Sequence, residues 1–563
     1  MVVKHLKQVA AKYKALIAAF LFVGMTHAFL QSFTARYFQR VVDNFTDRNL
    51  TWANVAIYGI ALFLLYISGY LTEYPWRKLE HSISLSLKAA ALKKLSVIDY
   101  LSYVKLGTGA LIQRIENGAG AGLSILFEFY LRLAGELLPA ILFSIIFVFT
   151  INQVVMVSIL LGYVVVFIVS NLLLKALYRV KERILVNEEK FNHYLVRGFM
   201  EMVVFRVNRR FAREIGKIEA ASKEIIASNV KMKMVHEAFF TIFAILIGFV
   251  KIGIIIYGWQ TGALTIGQIV ALVVLVDNAY QPIAIFNVLY VQFKLDKIAF
   301  ERYTEFLDAQ DDERLSQGQQ VSGLRGQVSF SKLGFMYNGR VIFDDFNLEI
   351  GQGRAVALVG ESGSGKSTAA KLVAGLLRPT IGTVTVDGLD LNQVNLNSYY
   401  GHIAYLPQEP SIFNGTLREN LVFDEDVDPG LIMAAIKEVE LEELYTKLDN
   451  GLDTQLGERG ISLSGGERQQ LALARLWFTG ANVIILDEAT SAIDNLTEEA
   501  VMRNVMARLK GKTVIAIAHR LDSVKSFDNI IVFKDGRIAE QGRFDELIGN
   551  GRLFYELYHR SQQ

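Results

Sequence analysis

Six apolar segments fill the first 290 residues, at 15–38, 53–74, 123–149, 154–174, 238–257 and 263–290. Each reaches the roughly 20 residues that a helix needs to cross a hydrocarbon core. A helix satisfies every backbone N–H and C=O internally, which an open extended segment in lipid cannot do. Composition agrees, since 52% of the 563 residues are apolar and only 20% are charged. With 58 basic and 56 acidic residues the net charge is +2, which lacks the basic footprint of a dedicated nucleic-acid binder. There is no cysteine, so a disulfide, a thiolate metal site and a cysteine nucleophile are all excluded.

The connections between segments differ in charge. Thr150-Ile151-Asn152-Gln153 and Gly258-Trp259-Gln260-Thr261-Gly262 are short and uncharged. Residues 75–122 and 175–237 are long and basic, with Arg77, Lys78, Lys88, Lys93 and Lys94 in the first and Arg206, Arg209, Arg210 and Arg213 in the second. The positive-inside rule places the long loops and both termini in the cytoplasm of a cell (inner or plasma) membrane. Lys4, Lys7, Lys12 and Lys14 precede an apolar run too long for a cleaved signal peptide, so the first span is read as retained. Phe191, Leu195, Phe199 and Met202 keep helical spacing, as do Phe211, Ile215 and Ile218. The membrane helices are therefore expected to continue well into the cytoplasm.

Charges inside spans are costly unless they face a bundle interior or water. Glu128, Arg132 and Glu136 are four apart and share one helix face, which suits an ion-pair ladder near the inner surface. Arg132 and Glu136 are also candidates for a substrate pathway. Lys251 in the fifth segment, with Asp277 and Asn278 in the sixth, reads equally as a buried helix–helix pair or as such a pathway. His27 and Gln31 are weaker candidates, and Pro75, Pro139 and Pro282 are expected to kink their helices.

Residues 308–326 are polar and read as a linker between a membrane domain at 1–307 and a second domain at 327–563. In that second domain a short apolar strand, Ala355 to Val359, leads into Gly360-Glu361-Ser362-Gly363-Ser364-Gly365-Lys366-Ser367-Thr368 and then a helix, Ala369 to Leu377. This is the pattern of a Walker A loop, whose backbone N–H groups and helix N-terminus cradle phosphates. Lys366 would reach the β- and γ-phosphates, and the Ser367 hydroxyl would ligate Mg²⁺. Val483-Ile484-Ile485-Leu486 is an apolar strand ending in Asp487 and Glu488. At that position Asp487 suits Mg²⁺ coordination and Glu488 suits polarising an attacking water. Ser464-Gly465-Gly466 opens another helix, Glu467 to Phe478, as a second anion-binding N-terminus. The strand Thr513 to Ala518 delivers His519, and Tyr337 ends a strand shortly before the phosphate loop.

The order Walker A, Gln408, Leu-Ser-Gly-Gly-Glu, Leu-Asp-Glu-Ala-Thr-Ser and Ala-His-Arg resembles the ATP-binding-cassette family. Gly457-Glu458-Arg459-Gly460 resembles the X-loop of its exporter branch, and six spans before one cassette resemble a half-transporter of that branch. The resemblance implies a six-helix transmembrane bundle with long cytoplasmic extensions, followed by an α/β P-loop domain with a helical subdomain. It implies ATP and Mg²⁺ as ligands. Tyr337 matches the adenine-stacking aromatic, and Gln408 the residue that senses Mg²⁺ and the coupling helices. Ser464, Gly465 and Gly466 match the signature that closes on the other subunit's ATP, Asp494 matches the D-loop, and His519 the switch histidine. Tyr103 to Arg114, with Gly107 and Gly109, resembles the first coupling region, and residues near 206–213 the second. Gln470 stands where the family often has a basic residue.

In the family it resembles, the Walker loop and signature of one cassette face apart, so one of each per chain implies a two-fold dimer. Glu488 and the signature are both intact, which points to two identical chains over pairing with a paralogous half. The expected activity is ATP-driven export of a small or medium-sized amphipathic or charged substrate by alternating access. A lipid flippase or an importer on the same fold is the alternative, and an ATP-gated channel or regulator is the alternative of another class.

Overall fold

The computed structural model describes residues 2–106, 108–337, 339–423, 426–457, 463–518 and 520–562. The chain forms two compact units, Met1–Ser96 with Leu106–Ala309 and Val97–Lys105 with Gln310–Gln563.

The first unit is helical. Lys14–Thr46, Trp52–Leu95, Gln153–Met200, Phe211–Thr261 and Ile266–Leu307 are single long helices. A helix of 51 residues such as Phe211–Thr261 is roughly 75 Å long, against a hydrocarbon core of about 30 Å. The apolar segments are therefore one part of each helix, and the remainder projects beyond the bilayer. Five helices are long and apolar enough to cross a membrane among the described residues. The fourth expected segment falls on Gln153–Met200, whose apolar part is described as far as Val165.

The tight turns have local causes. Asn152 accepts from the Val155 N–H at 3.1 Å and starts one helix, while Thr265 and Gln268 form a capping box that starts another. Gly262, at φ 59, ends the helix before it, in a conformation costly for a residue with a Cβ. Proline acts differently at each position. Pro75 and Pro282 lie inside continuous helices. Pro139 follows a stretch, Ser124–Leu131 and Leu133–Leu137, wound as π-helix. The wider winding leaves room for the ring, which would clash with the carbonyl four residues back in an α-helix. The last helix is the axis of the packing, with Leu272, Leu275, Val276, Ala279, Tyr280, Phe300 and Tyr303 all buried. Tyr280 and Tyr303 donate to the carbonyls of Ile159 at 2.9 Å and Leu87 at 2.6 Å, so the buried hydroxyls are satisfied.

The second unit is built on a six-stranded sheet. Ala355–Gly360 lies beside Thr513–Ile517, then Val483–Asp487 and Ile403–Leu406 on one side, all parallel. On the other side it pairs with parallel Asn529–Lys534, which carries the antiparallel Arg537–Gly542 at the edge. Alternate residues of the central strands enter two cores. Ala357, Val359, Ile484 and Leu486 face one, and Val356, Leu358, Val483 and Ile485 the other. A sheet buried on both faces explains why these strands read as unbroken apolar runs. A second, antiparallel sheet contains Val328–Tyr337, Arg340–Ile350, Ile381–Val386 and Leu389–Asp390. Short helices from Leu417 to Thr446 pack on one core beside Gly465–Ala474. That helix ends at Ala474 in a 3₁₀ turn, Arg475–Trp477, short of the expected Phe478.

The polar segment 308–326 is not a free linker. From Gln310 onward it belongs to the second unit, where Val321 and Leu324 are buried. Asp312 and Arg314 are buried too, and Arg314 donates to Asp312 at 2.8 Å and to the Leu391 and Gly375 carbonyls. Arg378 also donates to Asp312, at 2.5 Å. Polar composition concealed this because the charges are paired internally. Residues 97–105 join the same unit. Asp99 N–H donates to the Gln310 carbonyl at 3.0 Å, Asp312 N–H to that of Val97 at 2.8 Å, and Tyr100 and Leu101 pack on a core.

Burial disfavours the Asp312 carboxylate, but Arg314 and Arg378 outweigh burial and hold its pKa below the ordinary value. A carboxyl depressed in the folded state stabilises above its unfolded pKa and loses that contribution as pH falls through the folded value. D312N leaves Arg314 buried without its counter-charge and is expected to cost about 3–5 kcal/mol near neutral pH. Thermal unfolding of the full chain in detergent should show the gap to wild type closing as pH falls below the carboxylate range.

Candidate active site

Parallel strands put their C-terminal ends on one edge, and the candidate residues gather there. Leu358, Ile517 and Asp487 are in register across three neighbouring strands. The loop after the first strand is shaped by glycine. Gly363 has φ 82, and Gly365 has φ 111 with the Phe343 ring where a Cβ would stand, at 2.8 Å. Lys366 opens the helix Lys366–Val373, and its Nζ donates to the Gly360 and Glu361 carbonyls at 2.8 and 2.9 Å. Burial pushes its pKa below the usual lysine value, opposed by the charges of Glu488 and Asp487.

Ser367 Oγ donates to Asp487 Oδ1 at 3.3 Å, and Tyr405 OH donates to Asp487 Oδ2 at 3.1 Å. Burial raises the Asp487 pKa, with Glu488 adding to the rise and the two hydroxyls opposing it. The donor set suits a phosphate ligand and a hard divalent cation. Lys366 supplies a buried ammonium, and Ser367 with Asp487 supplies adjacent oxygens. The buried Ser364 hydroxyl inside the loop has no partner among the described residues. Such a group is costly unless something binds it.

Glu488 follows the strand in a left-handed conformation, φ 52, which costs a non-glycine residue on the order of 1–3 kcal/mol. Its N–H donates to the Ile517 carbonyl at 3.2 Å. Gln408 Nε2 donates to Glu488 Oε2 at 2.5 Å, so these two candidates are brought together. Tyr337 is 38% exposed at its strand end, and Thr368 is partly buried in the first turn of the loop's helix. Asp494 accepts from the Thr497 N–H at 3.1 Å and caps Asn495–Arg508, and that backbone bond lowers its pKa. His519, Gly107, and Glu458, Arg459 and Gly460 of the X-loop lie outside the described residues.

The signature forms its own capping box. Ser464 Oγ accepts from Glu467 N–H at 3.2 Å, and Glu467 accepts from Ser464 N–H at 2.6 Å. Gly465 and Gly466 pack on the loop 489–493, where a Cβ on Gly466 would approach the Ala492 carbonyl at 3.0 Å. Among the described residues no hydrogen bond joins Ser464, Gly465 or Gly466 to the loop Gly360–Thr368 of the same chain.

Sequence reasoning missed three elements. Tyr405 reads as a strand aromatic, and nothing local signals its bond to Asp487. Glu498 is buried, accepting from Thr490 at 2.8 Å and Arg520 at 2.6 Å, while Arg520 also donates to the Ile493 carbonyl at 2.7 Å. Gln469 bonds Gln408, Glu488, Ser491 and Ala492, and its only signal is its place on the signature helix. Gln470 donates to the Val439 and Glu440 carbonyls just past the helix Pro429–Glu438.

In the helical unit, Arg132 donates to Glu136 at 2.8 Å and Glu128 at 3.2 Å and lies 5.1 Å from the Trp76 ring centre. This is the ladder arrangement. Lys251 meets Asp277 at 2.6 Å across two spans. Gln31 donates to Asn278 Oδ1 at 3.1 Å, while the buried Asn278 Nδ2 has no partner among the described residues. His27 Nδ1 meets Ser68 Oγ at 3.0 Å.

These features define an ATP-binding P-loop domain in a chain with multi-pass membrane helices. More specifically, residues 343–491 match the ABC transporter family model. The chain is 35% identical over 352 residues to YwjA of Bacillus subtilis, an uncharacterized ABC transporter ATP-binding protein, covering 61% of this chain and 59% of that one. It is 33% identical to the mycobactin import ATP-binding/permease protein IrtB of Mycolicibacterium thermoresistibile, covering 56% and 55%. It is 35% identical to the transport/processing ATP-binding protein ComA of Streptococcus pneumoniae, covering 53% and 42%. The matches thus span about three-fifths or less of these relatives. A solved bacterial Atm1-family ABC exporter with ATP bound matches with TM-score 0.83 over 99% of both chains, at 23% identity. The fold is that of an ABC exporter.

Because burial raises the Asp487 pKa, its carboxylate is lost at a higher pH than an ordinary aspartate's as conditions turn acidic. Y405F removes a hydrogen bond that favours the ionised form. If the site hydrolyses ATP with Mg²⁺, the acid limb of that activity is expected to move to higher pH in Y405F, with the neutral-pH rate less affected. A pH–rate profile that superimposes on wild type counts against Asp487 as the titrating ligand.

Proposed function

We propose that this chain is one half of an ATP-driven transporter that exports an amphipathic or charged molecule. The observation that carries the reading is the cluster at the strand ends, where Ser367 meets Asp487 and Gln408 meets Glu488. ATP is held by the loop Gly360–Thr368, with Tyr337 against the base. Ser367 and Asp487 would hold Mg²⁺, which would supply charge neutralisation for the phosphates, and Gln408 would sense it. Glu488 orients and deprotonates the attacking water, and His519 contacts the γ-phosphate. Residues 1–96 with 106–309 are assigned to the transmembrane domain and 97–105 with 310–563 to the nucleotide-binding domain, and the termini face the cytoplasm.

Two identical chains complete the engine. Ser464, Gly465 and Gly466 of one chain close on the ATP held by the other, with Asp494 between the two sites. Support comes from the single chain, in which the signature makes no bond to its own phosphate loop among the described residues. Closure on ATP biases the membrane helices toward an outward-facing state, and hydrolysis resets them. Lys251, Asp277, Asn278, Arg132 and Glu136 contribute polar groups to the substrate pathway. Import is the second reading, favoured by the similarity to a relative named for mycobactin import. Flux in inside-out vesicles separates the two directions.

E488Q is expected to lower ATP turnover by about 10²–10⁴-fold while leaving ATP binding intact. Wild-type-like turnover in reconstituted E488Q overturns the assignment. K366A should weaken nucleotide binding or hydrolysis itself, read by direct nucleotide titration. Replacing the intramembrane pair, as K251M with D277N, is expected to change the ratio of stimulated to basal ATPase across a panel of amphipathic and charged compounds. An unchanged ratio removes the pair from the pathway.

A further inference from the structure

We propose that Gln469 is a positioning residue that holds Glu488 of its own chain in place for hydrolysis. The inference rests on the ATPase reading above and adds to it a residue outside the phosphate and signature contacts. Gln469 is 4% exposed, and every polar atom of its side chain is used. Its Oε1 accepts from Ala492 N–H at 2.8 Å, which fixes the end that is oxygen. Its Nε2 faces the Glu488 carbonyl at 3.3 Å, the Gln408 carbonyl at 3.3 Å and Ser491 Oγ at 3.1 Å. One amide therefore joins the backbone of the proposed general base, the backbone of the glutamine bonded to it, and the loop that runs on to Asp494.

Glu488 needs such a restraint. Its backbone is left-handed at φ 52, a conformation that persists only when its surroundings over-determine it. Gln469 holds the carbonyl, and the Ile517 carbonyl holds the N–H. Gln469 is five residues beyond Ser464, about one and a half turns along the same helix. The helix tip that is proposed to meet the partner's nucleotide is thus tied rigidly to the base that acts on the chain's own nucleotide.

Q469E tests this with little change in shape. It keeps an acceptor for Ala492 N–H but turns a carboxylate oxygen toward the carbonyls of Glu488 and Gln408. Two mixed dimers are compared by single-turnover hydrolysis, so that one competent site is enough to register. In the cis dimer Q469E and E488Q share a chain and the other chain is wild type. In the trans dimer they are on opposite chains. The expected result is that the cis dimer matches a dimer carrying E488Q alone on one chain, while the trans dimer is slower by about tenfold or more. Loss in cis with retention in trans would mean that Gln469 acts through the signature on the partner's site, and overturns the proposal. Equal loss in both means a merely structural role, and also overturns it. Q470A, which among the described residues severs side-chain bonds to Val439 and Glu440, controls for disturbance of the helix and should stay within about twofold of wild type. If E488Q homodimers turn over like wild type, the ATPase reading itself has failed, whatever Gln469 does.

Discussion

A carboxylate buried at the end of an apolar strand must be compensated, and the second unit is arranged around that demand at Asp487. The strand Val483–Asp487 is fully buried because both faces of the parallel sheet are covered. The same covering that makes the sheet stable strips water from Asp487. Two hydroxyls, from Tyr405 on a neighbouring strand and Ser367 on the loop helix, return part of what is lost. The remaining deficit is a raised pKa, which a divalent cation relieves better than any neutral donor. The burial that stabilises the sheet is in this sense the same burial that raises the Asp487 pKa.

Much of this was legible because the relevant signals are local. The loop Gly360–Thr368 reads from glycine spacing and the strand before it from an apolar run, so the structure returns Ala355–Gly360 close to expectation, while the helix runs Lys366–Val373, starting inside the loop and ending four residues short of the expected Leu377. The pairing of Arg132 with Glu128 and Glu136 follows from helical spacing alone. What was not legible depends on contacts distant in sequence. Tyr405 lies 82 residues from Asp487, and no pattern around it reports the bond. Asp312 and Arg314 were read as linker because polar residues ordinarily mark solvent, yet here they satisfy one another inside the fold. The π-wound stretch before Pro139 was equally hidden, since it changes helical register without changing composition.

The membrane half follows a different economy. Its long helices satisfy their own backbone, so which helices meet is set by apolar and small-residue packing together with a few polar side-chain contacts. Lys251 with Asp277 joins the fifth and sixth spans, and Gln31 with Asn278 joins the first and sixth. These contacts fall on consecutive residues of the most buried helix. Contacts at Asp277 and Asn278 therefore help to fix register, and Asn278 Nδ2 has no partner among the described residues. Register and a polar pathway are compatible roles, because an ion pair that holds two helices together also presents charge wherever the pair is open to water.

Two of the groups that would seek phosphate, Lys366 and Ser464, are occupied within the chain itself, while the buried Ser364 hydroxyl has no partner among the described residues. Lys366 donates to two carbonyls of its own loop, and Ser464 serves its own helix cap. A ligand must offer more than these bonds to recruit them. A hydrogen bond from a charged donor is worth about 1.5–3 kcal/mol net, so a neutral ligand gains little by displacing a carbonyl from Lys366. A polyphosphate gains more, because it adds charge where the loop already aims backbone N–H groups and a helix N-terminus. Internal satisfaction thus works as a filter. It would reserve the lysine for ligands whose charge exceeds that of a peptide carbonyl.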